Sequence, residues 1–169
     1  MAWRNSKTQI SPRRRVIVLK SVRHAQNELL DKIVRKMIEE RKTKVREIIE
    51  EINRYYGYEK FKIVNEEENA ITFQLEANEV NIIDNGILTG NRVIVQNEED
   101  KVYISVPKII GGIGESRSYY IWYGRADIKV KVVNGRGVCE VRVWFPPLKL
   151  REIALKELEK KLSRSLQSL

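Results

Sequence analysis

The sequence predicts an α+β fold: an N-terminal strand and a long helix or helix pair, a curved antiparallel sheet of about six strands, and a C-terminal amphipathic helix. Three observations carry this. Apolar residues recur at three- and four-residue spacing over 21–56 and again over 147–168, the period of a helix with one apolar face. Between these stretches the apolar positions alternate in short runs separated by Gly, Asn and Asp, the pattern of hairpins. The 169 residues are 42% hydrophobic and 33% charged, with nine Gly and four Pro, enough for one core and too apolar for a disordered chain.

Residues 1–14 (MAWRNSKTQISPRR) lack periodicity and contain Pro12, which predicts an extended basic arm and leaves 15–169 as one domain. Arg15–Lys20 (RVIVLK) is rich in β-branched residues and predicts a short strand. Val22, Leu29, Leu30, Ile33, Val34 and Met37 then form one apolar stripe, and Val45, Ile48, Ile49, Ile52 and Tyr55 a second. The polar run Glu39–Lys44 between them allows either one long helix with a solvated middle or two helices with a bend. Gly57 ends the helical stretch.

Strands occupy 59–145. Phe61–Val64 and Ile71–Leu75 flank the acidic loop Asn65–Asn69, and Val80–Ile83 precedes the turn Asp84-Asn85-Gly86. Arg92–Gln96 and Lys101–Val106 flank a four-residue loop, and Ile109–Ser118 reads as a Gly-rich connection. Over Tyr119–Val133 the even positions Tyr120, Trp122, Ala126, Ile128, Val130 and Val132 are apolar, whereas Arg117, Tyr119, Tyr123, Arg125, Asp127, Lys129 and Lys131 are polar or amphipathic. One long strand with its even side inward follows. Asn134-Gly135 is a type I′ dipeptide, and a two-residue turn there pairs Lys129 with Glu140, Asp127 with Arg142 and Arg125 with Trp144, while Val130 meets Cys139 on the apolar face. After Pro146-Pro147, Leu155, Leu158, Leu162, Leu166 and Leu169 mark the last helix, docked on the sheet or paired with another chain.

No run approaches the roughly 18 apolar residues of a membrane span, and no signal-peptide stretch is visible, so no membrane partner is expected. A single Cys excludes an internal disulfide, and a reducing, cytoplasmic location is expected. Abundant Lys and Glu, five Gln, and twenty Ile against twelve Leu predict a thermophilic archaeon, or one of its viruses or other genetic elements, as the source.

The charge of +9 is unevenly spread: residues 1–24 have seven bases and no acid, whereas 61–100 have two bases and nine acids. A basic block attracts phosphate by counterion release, so Arg13, Arg14, Arg15, Lys20 and Arg23 are candidate phosphate contacts. Arg117, Tyr119, Tyr123, Arg125, Lys129 and Lys131 are expected on one strand face with Arg142 and Trp144 beside them, the aromatic-and-cation mixture that holds single-stranded nucleic acid. The competing reading is a solvent-facing sheet with mutually neutralised charges, or a face covered by the C-terminal helix. Gly111, Gly112 and Gly114 lack the Lys-Ser/Thr of a phosphate loop. His24, the one histidine, would need carboxylate company for catalysis or metal binding and, among Arg23, Gln26 and Asn27 near the start of a helix, reads as a surface or capping residue; Cys139 faces the core, and the runs Glu66–Glu68 and Glu98–Asp100 read as solvated loops. No nucleophile or cofactor motif is present, so a non-enzymatic protein without a cofactor is expected.

The preferred expectation is therefore low-specificity binding of RNA or single-stranded DNA. The order of elements is similar to helix-grip domains of the START and Bet v 1 type. This resemblance implies a second expectation, a pocket for a small apolar ligand between sheet and helix. A third is a structural subunit of a virion or ribonucleoprotein, or a homodimer joined through the C-terminal Leu face.

Overall fold

The computed structural model describes residues 12–110, 113–134 and 136–167. The first eleven residues of the arm expected over 1–14, with Trp3, the glycines at 111, 112 and 135, and Leu169 of the expected Leu face lie outside the described residues.

A single helix, α1 (Pro12–Tyr56, 45 residues), opens the fold. Pro12 stands at its first position, where a missing N–H costs nothing, and no Gly or Pro interrupts it before Gly57. There the chain turns at φ 76°, with the Gly57 N–H donating 2.9 Å to the Asn53 carbonyl. Arg13–Lys20, expected as arm and strand, belongs to this helix. The β-branched run costs only a few tenths of a kcal/mol per residue, whereas a strand there would forfeit the cooperativity of an established helix. The polar middle is not solvated throughout: Lys42 is buried and its Nζ donates 2.7 Å to the Glu67 carbonyl.

Among the described residues nine strands, rather than about six, form two antiparallel sheets. The first has the order β1 (Phe61–Glu67), β2 (Ala70–Ala77), β9 (Arg136–Trp144), β8 (Arg125–Val133). The second is a meander of β3 (Val80–Ile83), β4 (Gly86–Thr89), β5 (Ile94–Glu98), β6 (Lys101–Ile110) and β7 (Ile113–Trp122), set in the chain between β2 and β8. Three of the differences are local. Gly86–Thr89 is a strand of its own, the stretch read as a Gly-rich connection supplies the end of β6 and the first part of β7, which pair as a hairpin, and the expected four-residue loop is a two-residue turn between the paired Glu98 and Lys101.

The β8–β9 register is the expected one pair by pair, from Arg125–Trp144 to Val133–Arg136, and Asn134 takes the φ of 52° that its turn requires. The expected strand 119–133, however, is two strands in different sheets. Tyr123 has φ 57°, and the chain turns a corner there into Gly124, where a Cβ would lie 3.0 Å from the Phe145 ring. Asn97 holds the new strand at its start, its amide accepting from the Ala126 N–H and donating to the Ala126 carbonyl, both at 2.8 Å.

One core joins both sheets and the C-terminal half of α1. Val45, Ile48, Ile49 and Ile52 pack with Phe61, Phe73, Phe145, Ile104, Ile121 and Val141, all essentially inaccessible. The helix held by the sheets is thus α1. The last helix, α2 (Pro147–Gln167), packs on α1 through Leu150 and Ala154, with Arg151 bonded to Asp31 (2.9 Å) and Asn27 (2.7 Å). Asn53 ties α1 to β1 by two 2.8 Å bonds to the Phe61 N–H and carbonyl. Asn53→Ala should destabilise the fold by about 2 kcal/mol in urea denaturation, because a buried backbone donor loses its partner; an unchanged midpoint would refute this role.

Candidate nucleic-acid interface

The corner at Tyr123–Gly124 inverts the side-chain alternation, and this decides what each face offers. On β7 the odd positions face α1. Arg117 pairs with Glu51 of α1, its guanidinium sits 5.7 Å from the Tyr119 ring, and the Tyr119 hydroxyl bonds to Glu51. Burial pushes the Tyr119 phenol above its ordinary range, reinforced by Glu51. Tyr123 lies under Arg41 of α1, 5.5 Å from its ring centre, while Arg41 donates to the Trp122 carbonyl (3.2 Å) and the Met37 carbonyl (3.1 Å). Burial draws the Arg41 guanidinium below its usual pKa. Arg117, Tyr119 and Tyr123 therefore anchor α1 and do not share an open face with the β8 cations. The helix lying over them is α1, not the C-terminal one.

On the first sheet the expected outward face exists, although the opposite side of β8 is open as well towards its end, where Val130 and Val132, expected inward, are exposed. Arg125, Lys129 and Lys131 are exposed. Much of this charge is neutralised: Arg142 contacts Glu67 at 2.7 Å and Asp127 at 3.6 Å, and Lys131 contacts Glu140 at 2.9 Å, displacing the expected Lys129–Glu140 pair along the diagonal. Hydrogen bonds from Lys131 and Gln74 hold the Glu140 carboxyl below its ordinary range. Trp144 is partly buried opposite Arg125.

The net charge resides elsewhere. Residues 12–36 of α1 carry eight bases and two acids, and α2 carries six bases and three acids. The intervening 37–146, with all nine strands, holds sixteen bases and eighteen acids. Arg13, Arg14, Arg15 and Lys20 occupy the first turns of α1, and Arg23 is exposed beyond them. His24 pairs with Glu28 at 3.0 Å on the same exposed surface. On α2, Lys156, Lys160 and Arg164 recur at four-residue spacing and share a shallow groove with Glu159 and Ser163. Sequence reasoning passed over these three; their spacing was the available signal.

The outer face of the second sheet holds a further cluster that the sequence placed in the core. Tyr120 and Trp122 are 44% and 52% exposed. Across the strand pair, Tyr120 stands opposite Tyr103 (ring centres 5.3 Å apart) and Trp122 opposite Lys101, whose Nζ lies 4.7 Å from the Trp122 ring and 5.6 Å from that of Tyr120. The Tyr103 hydroxyl and the Ser118 hydroxyl are 3.1 Å apart.

An open cleft of about 850 Å³ is bordered by Tyr58, Lys60, Lys62, Glu76, Asn91 and Arg136, a polar lining of both signs. Among the described residues no three His, Cys, Asp or Glu side chains converge as metal ligands, and Cys139 is buried, with its thiol pushed up by desolvation. No helix among the described residues is long and apolar enough to cross a membrane. Compared with known proteins, the α+β chain matches no family model, no curated protein and no solved structure.

Proposed function

We propose that this protein binds single-stranded nucleic acid, RNA or DNA, with little sequence specificity and without catalysing a reaction, in a reducing cytoplasm. The observation that supports the reading is charge segregation: the first half of α1 and the whole of α2 carry a large cationic excess while the sheet-bearing body is slightly acidic. Such an asymmetry orients a polyanion toward the helices and away from the body. Lys and Arg there release counterions on contact with phosphate, contributing affinity that is independent of sequence. Anisotropy titrations with a labelled single-stranded oligonucleotide over a salt series test this: affinity falls steeply with salt, and an affinity that does not change with salt refutes the mechanism.

Self-association is a second reading, favoured by the leucines of α2: Leu155, Leu162 and Leu166 are 40%, 65% and 70% exposed at seven- and four-residue spacing. Sedimentation equilibrium tests it, a dimer that Leu162→Lys dissociates being the expected result and a monomer at high concentration the contrary one. A carrier of small apolar ligands draws less support, since Phe61, Phe73 and Ile52 fill the interior and Trp122 faces solvent.

A further inference from the structure

Resting on the nucleic-acid reading, we infer that Tyr103, Tyr120 and Trp122 on the outer face of the second sheet form a stacking platform for unpaired bases, separate from the phosphate-binding helices. Two of the rings are about half exposed although the sheet has an interior that could have held them, and the inward positions of the same strand are filled by Tyr119 and Ile121. Tyr103 and Tyr120 sit at directly opposed positions on neighbouring strands, and Trp122 follows two residues along β7 on the same face, so a chain of bases can cross from one ring to the next. Lys101 lies over two of the rings and presents a cation at the edge of the platform, and the Tyr103 and Ser118 hydroxyls add donors beside it.

The charge around the platform selects what lands on it. Glu98 stands opposite Lys101 in the next strand, with Glu99 and Asp100 in the adjoining turn, so local acids outnumber the one Lys. A duplex presents two phosphate backbones and keeps its base faces stacked inside, and it gains nothing from this surface. A single strand held by its phosphates on the cationic helices offers bases with free faces, which aromatic rings accept whatever the sequence. The acidic turn thus excludes backbone, and the rings take bases: the platform supplies the preference for single strands, the helices the general affinity.

The test uses the full chain with two probes, a labelled single-stranded oligouridylate of about 20 nucleotides and an RNA duplex of the same length. Trp122→Ala and Tyr120→Ala are each expected to weaken single-strand binding by about tenfold, the effect of one lost base stack. Duplex affinity and the salt dependence should stay unchanged, and Trp122→Phe should retain most of the binding. Far-UV circular dichroism confirms that each exposed-site variant folds. Equal losses for both probes, or no loss for the single strand, overturn the platform while leaving the charge-based reading intact; a shift in self-association instead would assign the patch to a second copy of the chain and also overturn it. Wild-type protein that binds neither probe removes both inferences together.

Discussion

Replacing Lys156, Lys160 and Arg164 together by glutamate should lower the affinity for a single-stranded oligonucleotide by roughly 100-fold at 0.1 M salt. For single strands the logarithm of the binding constant falls with the logarithm of salt with a slope of about 0.7 per phosphate neutralised, so removing three cations flattens the slope by about 2, and one decade below 1 M salt converts that to two decades of affinity. The three side chains line one side of α2 at four-residue spacing and are exposed, so the thermal midpoint should scarcely move. The measurement is the slope itself, by anisotropy at several salt concentrations. A variant with wild-type slope and affinity would place the phosphate contacts elsewhere and sink the assignment of α2 to the interface.

Phe73→Ala should destabilise the fold by about 3–5 kcal/mol, the usual cost of a large aromatic cavity that its surroundings cannot close. Phe73 lies on β2, between β1 and β9, fully buried, with its ring stacked on Phe61 at 5.4 Å and 15° and its backbone paired with Val141. Both sheets and α1 meet at this core, so little slack exists for collapse. In a chain of this length the loss corresponds to roughly 10 °C in melting temperature. Urea denaturation with an unchanged m-value measures it; a loss under about 1 kcal/mol would show that the centre of the core lies elsewhere.

The elements differ in how far local chemistry reveals them. The β8–β9 hairpin was legible to the residue because Asn134-Gly135 sets the turn and alternating charges set the register. The corner at Tyr123–Gly124 was not, since tyrosine is an unusual residue at φ 57°. One signal was available: Ile121 is apolar at a position where the neighbouring odd residues are polar, and it is buried. Reading past it put Tyr120 and Trp122 in the core and Tyr119 outside, the reverse of their placement. Arg13–Lys20 misled for another reason, because a β-branched run states a preference too weak to resist a helix growing on its C-terminal side. The cationic residues of the helices were visible as charge but not as a surface, because residues 12–36 and 147–167 are far apart in the chain and are brought together by the packing of α2 on α1, where Arg151 reaches Asp31 and Asn27.

By itself the sequence determined the α+β class, the helical stretches, the tight β8–β9 turn and the excess of positive charge, all of which follow from spacing and turn chemistry within a few residues. Only the tertiary structure decided that the sheet is divided in two, that α1 and not α2 is the helix it holds, and which side of each strand meets water. Those outcomes depend on β2 pairing with β9 across the whole inserted meander and on where α1 comes to rest, and burial of a side chain is set by such distant partners, not by its neighbours in the chain.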